Sequence, residues 1–207
     1  MNLAVLVLPI LLVHGYAEDS HVWDSWVNWL KNDGFNATAI TFQHDDECGT
    51  VAEHATELNK MIKGKVIIIA HSKGGLDARW TRNDKISQLY MIGTPNRGTE
   101  SAYIDLTHCG FRGPGLEDLL PGSAATQVKD QPATKYYTIA GTDHNPCLFV
   151  VERPICFLIT NDGFVTVESA KGSYPLLAQF PYSHVGLLMH KDVYDIIHKT
   201  IINRTRG

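Results

Sequence analysis

Hydrophobic and polar positions along this chain follow two periods that take turns. Apolar runs of strand length stand at Leu3–Val13 and Lys65–Ala70, and a strand-like segment follows at Ile86–Ile92. The run Lys65-Val66-Ile67-Ile68-Ile69-Ala70 is too short and too β-branched for an amphipathic helix, and it predicts a buried strand. Further strand-like runs lie at Ala37–Phe42, Lys135–Ala140 and Leu176–Phe180. Between these segments the apolar residues recur at helical spacing. That pattern predicts helices around Val22–Asn32, over Val51–Ile62, from Lys73 onward, and over Asp192–Ile202. Gly34 stands where the first of these helices needs a C-cap. Alternation of this kind predicts an α/β fold, with a mostly parallel central sheet and helices on both faces.

Trp23, Trp26 and Trp29 fall three residues apart on the first helix. An apolar stripe of that width packs on a sheet. Trp23, nearest the helix start, is the one expected to reach a substrate pocket.

Two excursions interrupt the alternation, Asn96–Gln131 and Thr142–Asn161. Long excursions in a compact domain are more often functional than idle, and both leave the carboxyl ends of predicted strands, where open α/β sheets place their sites. The chain reads as one domain over residues 1–207. Within it, residues 96–131 are a candidate cap whose apolar underside would come from Phe111, Leu116, Leu119 and Leu120.

The chemistry centres on Ala70-His71-Ser72-Lys73-Gly74, between the strand at Lys65–Ala70 and the helix from Lys73. A turn this sharp strains the serine backbone and crowds the residues two before and two after it, so both must be small. The bland alternative is a serine that caps a helix. A serine nucleophile requires a base, itself oriented by an acid, and on this architecture they follow in the order Ser, Asp or Glu, His. Of ten histidines, His184 lies after the last predicted strand and just before the closing helix, where the base belongs. His144 comes too early, and His190 and His198 lie in or beside the helical pattern. Two acids compete: Asp162, in Asn161-Asp162-Gly163-Phe164, and Asp143, directly after the strand Lys135–Ala140. An oxyanion hole takes two backbone amides. These are assigned to Lys73, after the serine, and Tyr16, in His14-Gly15-Tyr16 after the first strand. His14 and Gly15 bring that loop past the serine and are assigned, with Trp23, to substrate binding.

Taken together, these segments resemble the α/β-hydrolases, and among them the small lipases and esterases whose elbow reads Ala-His-Ser-x-Gly-Gly. Pro9-Ile10-Leu11-Leu12-Val13-His14-Gly15-Tyr16 is similar to their entry strand and oxyanion loop, and Ile92-Gly93-Thr94-Pro95-Asn96-Arg97-Gly98 to a later turn. Asp162-Gly163-Phe164-Val165 and Ser183-His184-Val185-Gly186-Leu187-Leu188 are similar to their acid and base segments. The resemblance implies a serine carboxylic-ester hydrolase with a Ser72–Asp162–His184 triad, working through an acyl-enzyme, without a cofactor, on a small-molecule or lipid ester. The same machinery would serve a thioester or an amide, and a non-catalytic member would have lost one of the three residues. The chain departs from the pattern at Ala70, where the pentapeptide usually has Gly. It departs again in the insert Thr142–Asn161, which keeps Asp143 in play.

Composition narrows the partners. A formal charge of −4 with scattered Lys and Arg leaves no basic footprint for nucleic acid. Met1–Val13 is too short to span a bilayer. It also lacks the charged start and small-residue exit of a signal peptide, so it reads as a strand, with the cytoplasm as default. Four cysteines and the sequons at Asn36 and Asn203 pull toward export, and Cys147 with Cys156 is the first expected disulfide. Neither His144 with Cys147 and Cys156, nor His44 with Cys48, has the paired short spacings of a zinc site, so no metal is expected.

Overall fold

Along the central strand, Ile67 and Ile69 turn into one hydrophobic cluster while Ile68 and Ala70 turn into another, the two-residue alternation of a strand buried on both faces. The computed structural model describes residues 8–43, 48–103, 113–143 and 159–205. Its strands are β1 (Ile10–Val13), β2 (Ala37–Ala39), β3 (Val66–His71), β4 (Ile86–Ile92), β5 (Lys135–Gly141) and β6 (Leu176–Phe180). They form one sheet in the order β2-β1-β3-β4-β5-β6, and every neighbouring pair is parallel.

Helices α1 (Asp24–Asn32), α2 (Val51–Met61), α3 (Lys73–Trp80), α4 (Pro114–Glu117), α5 (Val167–Lys171), α6 (Gly186–Met189) and α7 (Lys191–Thr205) complete the fold. One cluster joins Ile67 and Ile69 to Trp26 and Leu30 of α1 and to Tyr194, Ile197 and Ile201 of α7. The other joins Ile68 and Ala70 to Leu58 of α2 and Ala78 of α3. Helix α2 begins with a capping box, in which the Thr50 hydroxyl accepts from the Glu53 amide and Glu53 reaches back to the Thr50 amide, satisfying two donors the helix itself leaves over.

Because all strands are parallel, their carboxyl ends share one edge. After β1 the chain builds outward to β2, then crosses back to start β3 on the other side of β1. That reversal opens a crevice between the ends of β1 and β3.

The structure corrects the sequence reading in detail. β2 stops at Ala39 rather than Phe42, because the Phe42 ring is drawn off to stack on His54 at 4.0 Å. The segment around Val22 starts as a 3-10 turn, Ser20–Trp23, before α1 begins. In the candidate cap, Leu116 and Leu119 are buried in a small cluster with Val51, Leu76 and Ala102, and Tyr16 packs against it. Cys48 is disulfide-bonded. The start of the predicted first strand, His44, Phe111, His144, the pair Cys147 and Cys156, and most of the insert lie outside the described residues.

Candidate active site

Ser72 follows β3 and precedes α3 with φ 49° and ψ −126°. That left-handed φ is costly for a residue with a Cβ and persists only where the surroundings enforce it. The surroundings are tight. A Cβ on Gly74 would sit 2.7 Å from the Val13 carbonyl oxygen and closer still to that of His14, and one on Gly15 would sit 2.8 Å from Ser72 Cβ. Backbone from the ends of β1 and β3 thus meets with no room for a side chain at either glycine. Ser72 occupies the N-cap position of α3, yet its side chain makes no capping hydrogen bond. The hydroxyl of a capping serine would accept from an amide of the first turn. The capping explanation for this serine therefore fails.

Across the edge, after β6, His184 is buried and its Nδ1 lies 2.7 Å from Asp162 Oδ2. The other oxygen of Asp162 accepts from the amides of Val165 at 2.7 Å and Phe164 at 3.0 Å. The Asp162-Gly163 turn thus fixes its own carboxylate by local hydrogen bonds. Burial opposes a charge on His184, but the Asp162 carboxylate, through its charge and its hydrogen bond, outweighs it and raises the imidazole pKa above its ordinary value. Asp143, the rival acid, is an exposed residue just past β5.

Two side chains expected to meet substrate, those of Trp23 and His14, are enclosed instead. Trp23 is wholly buried in the core, edge-to-face on Trp26 with ring centres 5.4 Å apart, so its indole lines no surface. The imidazole of His14 is also buried, edge-on to Phe42 at 5.2 Å. Burial holds its pKa below the ordinary value, so the ring stays neutral. The Lys73 side chain runs inward, its Nζ 2.8 Å from Asp77 Oδ1 and 2.9 Å from His54 Nδ1. Only the backbone of Lys73 is thereby left at the elbow.

Two further residues, given no role by the sequence, join the site. Glu18 Oε2 accepts from the Gly15 amide at 2.7 Å and lies 2.8 Å from His71 Nδ1. The His71 ring centre is 4.7 Å from that of His184. The histidine directly before Ser72 was the available signal, but nothing local ties it to a glutamate fifty-three positions earlier.

Sheet order, parallel strands and an elbow at the switch point together define a class. The chain has the α/β-hydrolase fold. No family model and no curated protein matches it. Among solved structures it is similar to the mature lipase BlEst2 of Bacillus licheniformis, with a TM-score of 0.78 and 21% identity over 94% of this chain and 92% of that one. It is similar to the metagenomic carboxyl esterase MGS0156, TM-score 0.72 and 14% identity, over 95% and 76% of the two chains. The phospholipase PlaB of Legionella pneumophila gives 0.63 and 18%, over 78% of this chain and 45% of that one. Among the described residues, no cluster of three or more His, Cys, Asp or Glu side chains suits a metal, and no helix is long and apolar enough to cross a membrane.

Proposed function

We propose that this chain is a serine hydrolase of carboxylic esters in which Ser72 is the nucleophile, His184 the base and Asp162 the orienting acid. The observation that carries the reading is the strained Ser72 turn whose hydroxyl does not cap the helix it begins. A residue kept in that conformation without a capping bond has its hydroxyl presented for another purpose.

In this reading His184 takes the Ser72 proton as the oxygen attacks the ester carbonyl. Asp162, on Nδ1, keeps the lone pair of Nε2 free to act as base and stabilises the imidazolium that forms. The carbonyl oxygen becomes an alkoxide held by the amides of Lys73, at the first position of α3, and Tyr16, in the loop after β1. His184 then protonates the departing alcohol, and water repeats the sequence to release the acid. Likeness to a lipase, a carboxyl esterase and a phospholipase supports ester substrates. Leu116 and Leu119 share a cluster with Tyr16, and the segment 96–131 that carries them would cover the acyl group as a cap.

Fluorophosphonate labelling tests the reading. Native protein should be labelled and Ser72→Ala should not; folded native protein that takes no label overturns it. p-Nitrophenyl esters of rising chain length then read the acyl preference.

A further inference from the structure

Beside these residues lies a second ionisable pair, His71 enclosed and Glu18 largely so, for which the proposed reaction has no use. His71 is fully enclosed. Its Nδ1 faces Glu18 Oε2 at 2.8 Å and its Nε2 faces the His184 carbonyl oxygen at 3.1 Å. A carboxylate and a peptide carbonyl only accept hydrogen bonds, and a neutral imidazole has one N–H to give. Such a ring would satisfy one neighbour and turn its lone pair on the other. Both contacts are hydrogen bonds only when each ring nitrogen carries a proton.

The state of Glu18 agrees. Burial works against its charge, but the facing His71, by charge and hydrogen bond, together with the Gly15 amide and His184, brings its pKa down to about 2. Glu18 is therefore the carboxylate. The two groups tie together three segments far apart in sequence: the loop after β1 through the Gly15 amide, the elbow through His71, and the base loop through the His184 carbonyl.

We propose that Glu18 and His71 are positioning residues, a carboxylate–imidazolium clamp that holds the oxyanion loop, the nucleophile and the base loop in register. The inference rests on the reading of Ser72 as nucleophile. It goes beyond that reading in giving the residue before the serine a charged state and a task. The clamp touches no substrate and acts through the placement of Gly15, Ser72 and His184. Misplacement of catalytic groups by about an ångström can cost on the order of 100-fold in rate. The clamp's loss should therefore appear in kcat and leave KM nearly untouched.

Two measurements decide it. In 15N-labelled wild-type protein at neutral pH, with His71 assigned by its absence from His71→Gln, the ring should show protons on both nitrogens. A singly protonated ring overturns the clamp. In Glu18→Gln, which keeps the size and removes the charge, kcat should fall ~10- to 100-fold with KM nearly unchanged. Wild-type kcat, or a change confined to KM, overturns it. If the variant does not fold, the wild-type spectrum still decides. The two readings fail separately: native protein without fluorophosphonate label sinks the hydrolase, whereas labelled protein with a neutral His71 sinks only the clamp.

Discussion

Asp162 and His184 are joined twice, once by side chain and once by backbone. The imidazole Nδ1 lies 2.7 Å from Asp162 Oδ2, and the His184 amide donates to the Asp162 carbonyl at 2.8 Å. The acid loop and the base loop are thus tied at two points. The pKa of His184 is raised, and the ring must be neutral to accept a proton. Ester-cleaving activity should therefore fall as pH drops, with a midpoint above 6.5. A kcat/KM profile with its acid limb at or below that value would contradict the pairing.

Replacing Asp162 by Asn should leave the fold intact and lower kcat by about 10⁴-fold, the cost of the wrong imidazole tautomer. Asp143→Asn, at an exposed position, should stay within about twofold of wild type on the same ester, since most surface substitutions are near neutral. Full activity in Asp162→Asn would transfer the acid's role elsewhere.

Lys73 and Asp77 form an ion pair with almost no exposure of either side chain. Removing Lys73 leaves the buried Asp77 carboxylate facing His54 Nδ1 at 3.3 Å, so Lys73→Met alone should cost up to about 3–5 kcal/mol. Lys73→Met combined with Asp77→Leu should recover most of that loss. Urea denaturation of the two singles and the double reads the coupling directly, and additive losses would show that the pair is not one unit.

Glu18 links stability to acid. Its pKa is near 4.5 in an unfolded chain and about 2 in the fold. The folded state thus prefers the ionised form, and the stabilisation is present above 4.5 and lost as pH falls through the folded value. The difference between wild type and Glu18→Gln should reach at most about 3 kcal/mol near neutrality and vanish toward pH 2. Equal stabilities at pH 7 would show that the carboxylate contributes nothing to folding.

How legible this molecule was in its sequence depends on the range of the interaction. β3 reads off almost directly from Lys65–Ala70 because a strand buried on both faces is a continuous apolar run. The candidate site was legible as an order, Ser72 then Asp162 then His184, because strand ends fall in a fixed succession along such a sheet. Side-chain direction was not legible. Trp23 and His14 stand next to the site in sequence but are enclosed by the core, and periodicity does not say how far a stripe reaches. Phe42 continued a strand pattern until His54, twelve residues on, offered it a stacking partner. Glu18 with His71, and Lys73 with His54, are tertiary pairings that no local spacing encodes.

An uncapped helix start has one last consequence. By turning its hydroxyl away, Ser72 leaves α3 to begin without the side-chain oxygen that such a position normally supplies. In the proposed reaction the negatively charged tetrahedral intermediate delivers an oxygen to that place. The substrate thus finishes a secondary structure that the protein leaves incomplete. A stable tetrahedral phosphonate on Ser72 should accordingly make α3 the segment whose amides gain most protection from hydrogen exchange.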